Sequence, residues 1–226
     1  MSFFEALTEP FRPEGALPSD EDEKTTNLQG RQLETLEAID IANELFGEHG
    51  YDDISDFMTG IAATETQLGK LSSDVSYSPF QIDPIRYDDI VFRTQDDPST
   101  VDVIEGGAAL KRANLANELL RSMGYGEDFN ILGLSENMDG PSTGLIDEAR
   151  NPLIGALLTR MALANLPESA GDFTTPDTKQ QAEYWKSYWN SHAKNAKGKP
   201  EHYINEKNYF DSLLKMNAHD NTPLED

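Results

Sequence analysis

A mainly α-helical fold is what this sequence predicts, on three observations. Apolar residues recur every three or four positions in one stretch after another, the period of a helix with a buried face. Glycine closes several of those stretches, at Gly47, Gly69 and Gly124. Alternating apolar and polar runs, the mark of a half-buried strand, are scarce.

The elements follow in order. Residues 1–28 carry Pro10, Pro13 and Pro18 and the acidic run Asp20-Glu21-Asp22-Glu23, and read as an extended arm with Phe3-Phe4 as a candidate docking motif. Leu33 to Phe46 repeats apolar residues at helical spacing and stops at Gly47. Asp53 to Leu68 does the same through Ile54, Phe57, Met58 and Ile61, and Gly69 ends it. Pro84 opens a further helix through Ile90 to Phe92, since proline is tolerated in a first helical turn. Ala108 to Met123 is amphipathic; Tyr125 to Thr143, rich in glycine and asparagine, reads as a long surface loop. Leu153 to Leu166 is apolar nearly throughout, which predicts the central buried helix, with Gly155 allowing close helix approach. Asp177 to Trp189 and His202 to Met216 form two aromatic-rich helices joined by a loop from Asn190 to Pro200. The chain thus divides into an acidic arm (1–28), a helical domain (29–170) and a C-terminal helical extension (171–226).

Composition excludes several function classes. A formal net charge of −23 argues against a nucleic-acid binder, because phosphate neutralisation needs lysine and arginine. From Lys179 to Lys215 lysine exceeds acid by seven to four, leaving −26 on the remainder. So small an excess reads first as a solvated face and second as a docking surface. The chain has no cysteine, hence no disulfide or thiolate metal site. Its first residues, Met1-Ser2-Phe3-Phe4-Glu5, show no signal-peptide pattern, and no apolar run nears the ~20 residues of a membrane span. His192, His202 and His219 are scattered, the acids form no calcium loop, and Gly106-Gly107 lacks phosphate-loop spacing. No metal or other cofactor is expected.

One carboxylate is out of place. At about 100° per residue, Glu65 falls within roughly 20° of Ile54, near the centre of its helix's apolar face. An apolar setting and the negative end of a helix both favour the protonated acid, the form that general-acid cleavage of a glycosidic bond requires. Twelve residues on comes Tyr77-Ser78-Pro79-Phe80-Gln81-Ile82-Asp83-Pro84. The Gln81 amide both donates and accepts, which suits it to a sugar hydroxyl or N-acetyl group. Tyr77 and Phe80 offer an aromatic wall for a sugar ring, and Pro79 and Pro84 stiffen the segment. A structural alternative pairs Glu65 with Lys70, Arg86 or Arg93 as an internal ion pair. Asn151 before Pro152 has the pattern of a helix cap. Trp185, Tyr188 and Trp189 at helical spacing read as core or interface residues, with sugar stacking the lesser option.

Three pieces in this order resemble the lysozyme-like fold of soluble lytic transglycosylases and goose-type lysozymes: Ala63-Thr64-Glu65-Thr66, Ser78-Pro79-Phe80-Gln81-Ile82-Asp83-Pro84, and Asn151-Pro152-Leu153-Ile154-Gly155-Ala156-Leu157-Leu158. They span residues 52–166. The segment Ala182-Glu183-Tyr184-Trp185-Lys186-Ser187-Tyr188-Trp189-Asn190 with Lys197-Gly198-Lys199-Pro200 is similar to the tail of phage virion-associated proteins carrying such domains. The resemblance implies a muramidase or lytic transglycosylase acting on the β-1,4 bond between N-acetylmuramic acid and N-acetylglucosamine of peptidoglycan. Glu65 would be acid and then base, and Thr66, Tyr77, Phe80, Gln81 and Asn151 substrate contacts. No second carboxylate is required by it; Asp74 and Asp83 are the nearest in sequence. It also implies a virion location, with other virion proteins held through 1–28 and 176–216. The alternative is a non-catalytic virion structural or adaptor protein on the same scaffold. The sequence departs from the pattern at Ser78 and Pro79, where the family has glycine and leucine, and at Thr66, where it has serine. The family's cleft tyrosine is also missing: Leu163-Ala164-Asn165-Leu166-Pro167 stands near its place.

Overall fold

The computed structural model describes residues 28, 30–70, 78–82, 86–88, 90–91, 108–134, 151–166, 170–190 and 198–220. The α-helices with described bounds are, in order, α1 (Arg31–Gly47), α2 (Ser55–Thr66), α3 (Ala108–Ser122), α4 (Pro152–Ala164), α5 (Thr178–Tyr184) and α6 (Pro200–Asp220). A π-helical segment, Trp185–Trp189, continues α5. No strand occurs among the described residues, so the fold is mainly α.

Helix α4 is the central element, as its composition predicts. It starts where Asn151 caps it: Oδ1 accepts from the Leu153 N–H at 2.9 Å, and Pro152 takes the first turn, where no N–H is needed. Every residue from Leu153 to Met161 is buried. Helices α1, α2 and α3 all pack against it. Helix α2 is enclosed nearly as fully, with Phe57 to Ala63 all buried. Its other side carries α6, and Gly60 explains how closely: a Cβ there would stand 2.0 Å from the Tyr203 hydroxyl oxygen.

The core does not divide at residue 170. Ala182, Trp185, Trp189, Tyr203, Phe210 and Leu213 belong to the same buried cluster as Phe57, Ile61 and Leu157. Polar contacts reinforce the junction. Gln181 Nε2 donates to Asp56 Oδ2 at 2.6 Å and to Thr175 O at 2.8 Å. Lys207, 3 % exposed, places Nζ 2.7 Å from Asp56 Oδ1 and 2.9 Å from Asp211 Oδ2. Burial lowers the Lys207 pKa, but the bonds and charges of Asp56 and Asp211 outweigh it and raise the value above 10.5. The aromatic face of 176–216, expected as an attachment surface for virion proteins, is therefore largely turned inward.

Other expectations need correction too. Leu28, assigned to the arm, is buried, while residues 1–27 lie outside the described residues. The predicted surface loop from Tyr125 enters the core at Ile131, Leu132 and Leu134. It is held there because Asn117 Oδ1 accepts from the Ile131 N–H (2.7 Å), and the buried Tyr87 hydroxyl bridges Ile131 O and Leu134 N at 2.9 Å each. Arg86–Asp88 and Ile90–Val91 are helical, whereas Pro84 and Phe92 lie outside the described residues.

Candidate functional site

Glu65 stands in the last turn of α2, half-buried. That helix ends early because the backbone reverses hand: Gln67 (φ 54°), Leu68 (φ 58°) and Gly69 (φ 82°) follow one another in the left-handed region. Two consecutive non-glycine residues there are costly, on the order of 1–2 kcal/mol each. Hydrogen bonds hold them in place. The Leu68 N–H returns to Ala62 O at 2.9 Å, Gln32 Nε2 donates to Gln67 O at 3.1 Å, and Thr66 Oγ1 accepts from the Gly69 N–H at 2.7 Å.

The Thr66 hydroxyl has a second task. It donates to Pro79 O at 2.8 Å, which ties the end of α2 to the turn that carries Gln81. Within that turn Ser78 Oγ accepts from the N–H groups of Phe80 (3.0 Å) and Ile82 (3.3 Å). Gln81 is itself left-handed, at φ 56°. Phe80 and Ile82 point into the core and are fully buried. Gly155 lets the turn lie on α4, since a Cβ there would meet Ser78 Cβ at 2.9 Å. The close approach expected of Gly155 is thus made by a turn and not by a helix.

The third wall is the π-helical segment. Trp185 Nε1 donates to Glu65 Oε1 at 2.9 Å, and Trp189 Nε1 donates to Phe80 O at 3.0 Å. One five-residue segment therefore grips both the carboxyl group and the glutamine turn. Extra residues in a helix often mark functional sites, because they re-aim side chains that a regular helix would point elsewhere. Arg86 completes the frame: its guanidinium lies 3.8 Å over the Trp189 ring and donates to Trp189 O.

The structure thus brings Glu65, Thr66, Phe80 and Gln81 to one junction, and separates their roles. Thr66 is 2 % exposed with its hydroxyl engaged in the fold, and Phe80 is fully enclosed; neither presents a surface to a sugar. Asn151 is the α4 cap, and its Nδ2 donates to the Tyr125 hydroxyl. That leaves Glu65 and Gln81. The buried Gln81 Nε2 has no hydrogen-bond partner, a rare state for an amide in a folded protein. Tyr77, Asp74, Asp83 and Arg93 lie outside the described residues.

The sequence named Arg86 only as a possible ion-pair partner of Glu65, and Trp185 and Trp189 first as core or interface residues; their grip on Glu65 and the glutamine turn was not foreseen. The signal for the tryptophans was that they stand four apart on one helical face, which reads first as core. Among the described residues no group of three or more His, Asp or Glu could hold a metal ion. No helix among them is long and apolar enough to cross a membrane. No protein-family model, curated protein or solved structure matches this chain.

Proposed function

We propose that this protein is a peptidoglycan-cleaving muramidase or lytic transglycosylase, probing the glycan with Gln81 and protonating the scissile oxygen from Glu65. One observation carries the reading: a half-buried carboxyl group, fixed by an indole N–H at 2.9 Å, sits one residue from the threonine that binds the turn bearing an unpartnered amide. A proton donor and a directed hydrogen-bonding group at one junction are what glycoside cleavage requires. The substrate is the β-1,4-linked N-acetylmuramic acid–N-acetylglucosamine strand, by the resemblance of the three motifs. Carriage in a phage particle fits the same resemblance. No bound cofactor enters the reaction.

A second reading is a non-catalytic virion structural or adaptor protein on this scaffold. What favours it is that Thr66, Phe80 and Asn151 are all committed to the fold. Digestion of purified peptidoglycan by the wild type and by Glu65→Gln decides between them. The first reading expects soluble muropeptides from the wild type and a loss of about 100-fold or more with Glu65→Gln. Their masses separate anhydro from hydrolysed ends. Equal release by both proteins removes Glu65 from the chemistry, and no release from a folded wild type leaves the scaffold reading.

A further inference from the structure

At the end of α2 and α4 opposite to Glu65 lies a cluster that the proposed chemistry does not use. Arg112 of α3 and Arg160 of α4 are 6 % and 4 % exposed. Arg160 donates to the main-chain oxygen of Asp52 and lies 5.4 Å from the Phe46 ring centroid. Arg112 donates to Asn165 Oδ1 and lies 5.6 Å from the ring of Tyr51, the neighbour of Asp52. The two guanidinium groups therefore flank the same short stretch of chain. Among the described residues neither forms an ion pair, in a protein with 41 acidic residues.

Buried charges are ordinarily paired, because removing an ion from water costs several kcal/mol unless a counter-charge replaces the solvent. Here two carboxylates, Asp52 and Asp53, act on Arg160 only through space. Burial lowers the Arg160 pKa to about 10; Asp53 opposes that, and the positive charge of Arg112 adds to it. Donors are left over as well. Arg112 Nε, Arg160 Nε and Asn165 Nδ2 are all buried without a hydrogen-bond partner. Two unpaired cations and three orphan N–H donors at one helix junction are a deficit of negative charge and of acceptor oxygens together. Each would be met by the same kind of group.

We infer that Arg112, Arg160 and Asn165 form a binding site for a small oxyanion, a phosphate or a carboxylate, separate from the Glu65 site. Arginine suits such a group because its planar fork matches two oxygens at once. The anion acts as a structural ligand, joining α3 to the C-terminal end of α4 and to the 51–53 turn. The site stands whether or not the protein cleaves glycans.

Thermal melting of the full chain in phosphate, acetate and chloride at matched pH and ionic strength tests it. Binding raises Tm with the logarithm of anion concentration once that exceeds Kd, by roughly 5–10 °C at 100-fold over Kd. General stabilisation by phosphate, through its exclusion from the protein surface, rises linearly with concentration instead. A response to phosphate alone, or to phosphate and acetate alike, tells a tetrahedral site from a general oxyanion site. The variants Arg112→Met and Arg160→Met should lose the anion-dependent rise, each measured against its own melt in chloride because each also loses a hydrogen bond. Phosphorus NMR of the wild type with inorganic phosphate gives a second readout that needs no variant: line broadening that saturates at one phosphate per chain is expected. A linear Tm response with no broadening, or an undiminished logarithmic rise in Arg160→Met, overturns the site.

Discussion

At the scale of single residues, the indole N–H of Trp185 donates to Glu65, the group that the proposed function takes as its acid. Tryptophan offers one donor and no acceptor, so the bond fixes one carboxyl oxygen and nothing else about the group. Small errors in the placing of a catalytic group carry large rate penalties. Trp185→Phe keeps an aromatic ring in the cluster and removes the donor. Under the proposed function, glycan cleavage by that variant is expected to drop on the order of tenfold, mostly in kcat, with KM changed less. Digestion rates measured beside melting curves check this; a folded variant with wild-type kcat would show that Trp185 is only a packing residue. The left-handed residues Gln67, Leu68 and Gln81 belong to the same neighbourhood. Backbone strain of this kind persists only where surroundings over-determine it, and here Thr66, Gln32 and Ser78 do so.

At the scale of elements, the contact of α2 with α5 and α6 rests on shape and on one buried cation. The shape is Gly60 against Tyr203, the cation Lys207 between Asp56 and Asp211. Lys207→Met leaves two partly exposed carboxylates beside each other without their partner. A loss of roughly 1–3 kcal/mol at neutral pH is expected from denaturant unfolding. The alkaline behaviour follows from the raised pKa. A lysine whose folded pKa exceeds 10.5 contributes stability fully present below that value and lost as pH climbs through the folded pKa. Wild-type stability should fall above pH 10.5, and the Lys207→Met profile should be flatter there. Parallel slopes for the two proteins would argue that Lys207 carries none of the alkaline loss.

At the scale of the whole molecule, one core spans the described helices from α1 to α6. Burying a large apolar side chain contributes about 1.5–3 kcal/mol, against a net stability of about 5–15 kcal/mol for a domain. Residues Trp185, Trp189, Tyr203, Phe210 and Leu213 together contribute on the order of that whole margin. A chain ending at Leu166 is therefore expected to lose its cooperative thermal transition and to expose the faces of Phe57 and Ile61. Circular dichroism of the shortened chain decides this, because a sharp native-like melt would mean that the first helices fold alone.

Much of the fold was legible in the sequence because its helices are local objects. The period of Leu153 to Leu166, the Asn151-Pro152 cap and the terminal glycines each encode a feature within a few residues. Glu65 was legible for the same reason, as a charge set on an apolar face. Tertiary structure alone decided which partners those local features met. Nothing local tells that α5 passes into a π-helical segment, or that its two indoles reach Glu65 and Phe80, 120 and 109 residues away. Nor does spacing reveal that Thr66 and Phe80 face inward, or that Arg112 and Arg160 come together without a counter-charge. Helical periodicity is fixed by backbone geometry within one turn. Side-chain pairing between helices is fixed by how they pack, and packing is a property of the whole core.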